Sequence, residues 1–408
     1  MGWLKSRRLH YWLGATAILF VLFALLRVLF FFGYSGFDAK ALGNEDVLTT
    51  LGIGFRFDLR LAILVMLPGA LLAWIPRWNL VGSRLLRIIN RLYLVAILSA
   101  VLLIYIIDFG HYAYLGVRIN ATVLRFIEDA QISRDMVWQT YPVIWITLGW
   151  LATVAFVTLA LVRLERVTLD RPRTTIHPLS ATWGGAVMVV LVLLGILGRV
   201  ENLNLENPVP LRWSDAFFSG NNQVAALGLN PVIFLYDTVK VGQSRYDEAQ
   251  VREHYAVMAH YLSVDQPDPQ TLNFVRHQAP QPYKIPGSRP PNVMFIMLES
   301  LGTSAVGAYG NPIDPTPHID RLANQSWFFK HFYVPVTGTA KTVWASITGV
   351  PDVTRHETAT RNPLITRQNT LFNAFTAYDK IYTIGGNSGW ANMNALIRQS
   401  IDGVRLFD

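Results

Sequence analysis

Long apolar runs dominate the first half of the chain, and short alternating segments make up the rest. A helix needs about 20 apolar residues to cross a bilayer. Five stretches are predicted as spans: Tyr11–Phe32, Leu59–Ile75, Leu92–Ile107, Tyr141–Val162 and Trp183–Leu197. The second, third and fifth are short and extend into their flanks. The first is too long for a signal peptide and lacks a small-residue cleavage site. Residues 201–291 form a mixed juxtamembrane linker. Within it, "FFSGNNQVAALGLNPVIFLYDTVKV" (217–241) reads as an amphipathic segment on the outer leaflet or as a plain connecting helix. The Pro- and Gln-rich stretch 264–291 reads as an extended arm.

From Asn292 the pattern shortens. "NVMFIML" is a continuous apolar run, the mark of a strand buried on both faces. "TPHIDRLANQ" (316–325) predicts a helix with Thr316 as cap and Pro317 in its first turn. "WFFKHFYV" (327–334) predicts a strand. "TAKTVWASITG" (339–349) predicts a short helix with Ala340, Val343, Trp344 and Ile347 on one face and Gly349 closing it. A helix capped by Asn369 (369–380), a strand with a glycine turn (381–387) and a helix over 390–399 follow. Strands alternating with helices predict a doubly wound α/β domain over 292–408.

Composition sharpens the division. Hydrophobic residues make up 52% of the 408 and charged residues 15%, against about 25% charge in an ordinary soluble protein. There is no cysteine, which excludes disulfides, thiolate metal sites and cysteine nucleophiles. The net charge of +8 is confined to the apolar block: residues 1–200 hold 19 basic and 10 acidic side chains, 201–291 hold 7 and 9, and 292–408 hold 9 and 8. No basic face remains for a nucleic acid. With the N-terminus inside, the inner segments carry 11 basic residues against two acidic ones, and the outer loops carry five against seven. That bias orients the spans and puts everything after about residue 200 outside the cytoplasm; the expected membrane is a bacterial inner one. Arg27, "FRFDLR" (55–60) and "DFGHY" (108–112) lie near the membrane. They read either as a proton or lipid path or as snorkelling interfacial charge, and their positions near span ends favour the latter.

Two positions carry candidate chemistry. In α/β sheets, ligands gather beyond the carboxyl ends of the strands. Glu299 stands there and could hold a cation; it also reads as an ordinary end-of-strand acid. Thr339 follows Gly338 at the N-cap of the helix 339–348, where backbone N–H groups favour an anion. Its hydroxyl could act as a nucleophile if a metal lowered its pKa, or simply cap the helix. Thr337 and Thr342 compete for that role. Lys341 could meet a phosphate or be solvated.

Together, "NVMFIMLESLG" and "DPTPHIDRLANQSWFFKHFYVPVTGTAKTVWASITGVP" resemble the start of the sulfatase-like domain of the alkaline-phosphatase superfamily. More narrowly, five spans followed by this domain resemble the lipoteichoic acid synthase and phosphoglycerol transferase family. "GFRFDLR", "YLGVRINATVLRFIED" and "ALGLNPVIFLYD" are similar to its membrane and juxtamembrane stretches, less specifically. The resemblance implies that Glu299 is a metal ligand and Thr339 both ligand and nucleophile. It implies a divalent metal, usually Mn2+, with Mg2+ or Zn2+ as other options. It further implies attack on phosphatidylglycerol, loss of diacylglycerol, a glycerophosphoryl-threonine, and transfer to a glycan or glycolipid acceptor. Thr339 is preferred to Thr342 by its spacing to Gly349 and Pro351. "IGGNSGWANMNAL" resembles the family's substrate-pocket segment, with Asn387 and Trp390 as candidates, although a structural turn and a core tryptophan would also explain it.

The family's later Asp-His metal pair does not occur between 300 and 408. The domain is therefore expected to be incomplete at its C-terminus, and this polypeptide alone is expected not to turn over substrate. A sulfatase proper needs a C/S-x-P-x-R setting, where this chain has "GTAKT". A phosphoethanolamine transferase of the same superfamily is the second reading, disfavoured by the absence of cysteine. A non-catalytic membrane scaffold is the third.

Overall fold

The structure is a computed structural model that describes residues 6–34, 44–74, 83–124, 126, 130–170, 178–199, 210–241, 247–277, 290–353, 358–365 and 367–408. The chain divides into two compact units, Met1–Gly242 with Pro335–Asp408, and Gln243–Val334.

The first unit begins with helices α1 (Arg7–Gly33), α2 (Asn44–Trp74), α3 (Arg84–Leu115), α4 (Ala130–Thr140), α5 (Val143–Asp170) and α6 (Pro178–Leu197). On α1, Tyr11, Ala15, Leu19, Phe23, Arg27 and Phe30 are buried, a stripe at helical spacing. The opposite face is equally apolar but exposed, with Leu25 at 60% and Phe32 at 79%. A helix in water would turn polar side chains outward there, so this face suits lipid. Leu61, Val65 and Met66 of α2, Leu94, Leu98 and Leu102 of α3, and Val154, Val157 and Leu161 of α5 complete the core.

Among the described residues, three helices are long and apolar enough to cross a bilayer: α1, α3 and α5. The five expected spans are corrected accordingly. The stretch from Leu59 falls in α2, which carries Arg56, Asp58 and Arg60 ahead of its apolar half. The stretch ending at Leu197 falls in α6, whose described apolar part, Gly185–Leu197, is short of a span.

Residues 222–241 also differ from a single surface helix. They form α7 (Asn222–Gly228) and α8 (Pro231–Val241), bent by 104° at the break and together long and apolar enough for one more crossing. Pro231 cannot continue α7. The Asn230 side chain accepts from the amides of Val232 and Ile233 and starts α8 afresh.

Three of the membrane-proximal charges, Arg27, Asp58 and Asp108, do not snorkel. Arg27 is 4% exposed, and Asp58 and Asp108 are fully buried. The Arg27 guanidinium donates to both Asp58 oxygens at 2.8 and 2.7 Å and to the carbonyls of Leu227 and Leu229. Asn230 donates to Asp58 Oδ1 and to the Tyr105 hydroxyl at 2.9 and 2.8 Å. Arg118 lies 3.2 Å from Asp108 and 4.0 Å from the centre of the Phe30 ring. Buried charges must pair, and the bonds of Arg27, Asp58 and Asn230 fasten the broken helix α7–α8 to α1, α2 and α3.

The C-terminal part of this unit contains α11 (Thr339–Thr348), β1 (Ile381–Thr383), α12 (Met393–Ser400) and β2 (Arg405–Phe407); α9 (Glu248–Tyr261) and α10 (Pro317–Gln325) belong to the other unit. As the periodicity predicts, α11 buries Ala340, Val343, Trp344 and Ile347, and Gly349 ends it at φ 75°. These side chains pack with Met393, Leu396, Ile397 and Ile401. β1 and β2 pair in parallel, Ile381 against Arg405 and Thr383 against Phe407. Since α12 lies between them in sequence, β1–α12–β2 is one crossover of an α/β fold.

Other expectations fail here. Residues 292–298 form no strand and are exposed, with Val293 at 63% and Met294 at 84%. Residues 327–334 likewise form no strand. An apolar run becomes a strand only when a neighbour completes its ladder, and β1–β2 is the only sheet among the described residues. The helix expected over 369–380 reduces to one turn at Leu371–Ala374. The reason is visible at Asn373, whose amide donates to Ser400 O and whose Oδ1 accepts from Asp402 N. An Asn that serves another element in this way gives its own helix little.

The second unit contains α9 (Glu248–Tyr261), capped by Asp247, and α10 (Pro317–Gln325). Thr316 precedes α10 as expected, but its hydroxyl accepts from Gly307 N at 2.9 Å rather than from an amide of the helix.

Candidate active site

Gly338 sets the geometry around Thr339. At φ 116° it occupies backbone space that favours glycine. Its carbonyl accepts from Lys341 N and Thr342 N at 3.1 and 3.0 Å. Gly338 is therefore the N-cap, and Thr339 is the first helical residue rather than the cap itself. The first amides of a helix point out of its end, so this end of α11 favours an approaching anion. Thr342 is committed elsewhere: its hydroxyl donates to Val336 O at 3.0 Å. Thr337 is exposed, and Lys341, two residues into the helix, is partly buried.

Glu299 lies in the second unit, at the turn that ends the extended run 292–298. Ser300, at φ 56°, donates its hydroxyl to Glu299 Oε1 at 3.0 Å. Thr339, Lys341, Asn387 and Trp390 belong to the first unit.

The Asn387 side chain accepts from Gly389 N at 2.7 Å and its carbonyl accepts from Trp390 N at 2.9 Å. It thus builds a tight turn. Trp390 is no core residue, being 42% exposed. The next two residues, Ala391 and Asn392, both have positive φ, 50° and 60°, a strained pair for residues with a Cβ.

That turn rests on the juxtamembrane segment, a relationship the sequence did not reveal. Ser214 donates to the buried Asn392 side chain at 3.0 Å, and Arg212 approaches Gly389 O at 3.4 Å. Ala395 of α12 joins Trp213, Ala216, Phe217, Ala225 and Leu229 in one buried cluster. Arg199 is ion-paired with Asp215. Burial raises the proton affinity of Asp215, and Arg199 opposes that rise. The available signal was the dense "RWSDAFF" (212–218), whose residues 213–217 are all buried.

The carboxylate of Glu299 and the hydroxyl of Thr339 are hard oxygen donors of the kind Mn2+ and Mg2+ accept. Among the described residues, no three His, Asp or Glu side chains gather into a metal site.

Residues 291–400 match the sulfatase family. A 62-residue stretch is 40% identical to human arylsulfatase A, covering 15% of this chain and 12% of that protein. Over 40 residues it is 50% identical to mouse steryl-sulfatase, covering 10% and 6%. Over 45 residues it is 36% identical to human N-acetylgalactosamine-6-sulfatase, covering 11% and 9%. No solved structure matches the chain. Residues 291–400 thus form a sulfatase-like domain of the alkaline-phosphatase superfamily, behind a helical region with apolar candidate spans, and the match spans at most 12% of the length of those relatives.

Proposed function

We propose that the protein is a membrane-anchored phosphotransferase. It moves a glycerophosphoryl group from phosphatidylglycerol, through Thr339, to an acceptor hydroxyl on a glycan or glycolipid. The observation that carries this reading is Thr339 itself. It opens α11 within the sulfatase-like domain, and Thr342, its nearest rival, is spent on Val336 O. A threonine cannot be matured to formylglycine, so the sulfate-ester chemistry of the relatives' names does not transfer. The helices with lipid-suited faces supply the reason for a lipid donor, and the domain works on the extracytoplasmic side.

In the first step, the Thr339 oxygen bonds to phosphorus and the bond to the diacylglycerol oxygen breaks. The threonine proton ends on that leaving oxygen. In the second step, an acceptor hydroxyl attacks the same phosphorus, the Thr339–phosphorus bond breaks, and the threonine regains a proton. The α11 amides face the phosphoryl oxygens, and Lys341 adds positive charge beside them. Glu299 and Thr339 would hold a divalent ion, which would supply a lower pKa for the Thr339 hydroxyl and offset charge on the phosphoryl group.

The test uses the full-length protein in nanodiscs with Mn2+ and labelled phosphatidylglycerol, phosphatidylethanolamine or an aryl sulfate. Release of diacylglycerol from phosphatidylglycerol that disappears in Thr339→Ala is expected. Faster turnover of phosphatidylethanolamine would transfer the assignment to a phosphoethanolamine transferase. Turnover of the sulfate, or release unchanged in Thr339→Ala, would overturn it.

A further inference from the structure

Arg199 and Arg212 lie against the turn at Gly389, and Arg361 stands near Arg212; the three come from separate parts of the chain. Arg199 follows the last residues of α6. Leu211 N donates to Leu197 O at 2.7 Å, and the Arg60 guanidinium donates to both Leu197 O and Leu211 O at 2.8 Å. These bonds bring the chain back on itself and set Arg212 beside Arg199. Arg212 in turn approaches Gly389 O. Arg361 ends a helical turn, Ala359–Arg361, that packs on Trp390–Asn392.

The glycine leaves room for the Asn387 side chain. A Cβ on Gly389 would stand 2.8 Å from Asn387 Oδ1 and 3.5 Å from Arg199 Nη2. Asp215 is the acidic partner, and it is already engaged: Arg199 donates to one oxygen and Arg212 N to the other. Arg199 and Arg212 thus meet the Asp215 carboxylate, Arg361 stands near Arg212, and the Asp408 carboxylate accepts from Ser388 N beside the turn, which leaves three guanidinium groups to two carboxylates. Burial, and then the nearby Arg361, lower the proton affinity of Arg212, the mark of like charges held close together. Arg361 itself is exposed. Such an excess of arginine has a natural complement in a phosphate, whose oxygens match the guanidinium fork.

We infer that Arg199, Arg212 and Arg361 form a phosphate-binding site beside Trp390, at the junction of α6 and the sulfatase-like domain. The site deepens the proposed function and rests on it for the source of its ligand. It lies just past the end of an apolar helix, so a phospholipid headgroup can reach it with its acyl chains still alongside the helices. A free phosphate is the other source of the same chemistry.

Labelled dihexanoyl-phosphatidylglycerol and, separately, inorganic phosphate are titrated onto the full-length protein in detergent, as wild type, Arg361→Gln, Arg212→Gln and Thr339→Ala. Thermal melting of each variant checks its fold. Arg361 is exposed, so its substitution leaves the fold intact. Binding that weakens roughly tenfold in both arginine variants supports the site, since each loses a charge-assisted hydrogen bond. The probe that binds more tightly identifies the source. Affinities unchanged within about twofold for both probes, or no binding of either, overturn the site. Binding also separates the two proposals. Arginine-dependent binding that persists in Thr339→Ala without any turnover by wild type sinks the proposed reaction and leaves the site. Threonine-dependent turnover with normal affinity in both arginine variants sinks the site and leaves the reaction.

Discussion

Arg27 and Asp58, thirty-one residues apart in sequence, form a bidentate ion pair at 2.8 and 2.7 Å inside the helical region. The same guanidinium caps the carbonyls at the break between α7 and α8. The pair therefore ties the juxtamembrane segment to α1 and α2. Removing one partner leaves an uncompensated buried charge. Asp58→Ala or Arg27→Leu is expected to cost about 3–5 kcal/mol, read as a lower melting temperature in detergent. The double variant should recover part of that loss. A double variant whose loss equals the sum of the single losses would show that the two residues act independently.

Gly54 lies against this pair. A Cβ there would stand 2.5 Å from the Arg27 guanidinium, which is pinned by Asp58 and cannot retreat. Gly54→Ala is expected to destabilise by about 1–3 kcal/mol through overpacking. Gly52, where an added methyl group would meet nothing within 4 Å, is the control: Gly52→Ala should be neutral or stabilise by about 0.5–1 kcal/mol, because glycine is a poor helix residue. Equal melting temperatures for the two variants would count against the close approach.

In the Gln243–Val334 unit, Asp314 shares a hydrogen bond with Asp320, and that neighbour raises its proton affinity above the ordinary carboxylate value. Asp320 in turn accepts from Ala308 N at 2.7 Å. For an acid whose folded-state value is raised, folding favours the protonated form. The contribution is complete below the ordinary carboxylate range and is lost as pH rises through the raised value. Asp314→Asn should therefore slow local opening around Ala308 at neutral pH and change little at pH 3. Amide exchange compared at the two pH values checks this; faster opening at neutral pH in the variant would contradict it.

Under the proposed chemistry, EDTA should abolish diacylglycerol release by the full-length protein, and Mn2+ should restore it. Losing even an outer partner of a metal weakens binding roughly ten- to hundredfold. Glu299→Gln, which removes a direct ligand, should raise the Mn2+ required by at least roughly tenfold. A variant with an unchanged Mn2+ requirement removes Glu299 from the metal site.

The amino-acid sequence alone determined those features that depend on neighbours along the chain. The α11 face of Ala340, Val343, Trp344 and Ile347 and its glycine stop follow from helical spacing and the left-handed preference of Gly349. The helices at the apolar stretches and the short strand at Ile381 follow from run length and composition in the same way. The likeness of residues 291–400 to sulfatases was legible too. Tertiary structure alone decided which of those patterns acquired partners. The run 292–298 has strand composition but no ladder. Arg27 and Asp58 look interfacial in sequence and are buried together. Ser214 and Asn392 meet across nearly half the chain. Hydrogen bonding and charge pairing between distant segments are settled by packing, where burial makes an unmatched group costly, and local periodicity carries no record of them.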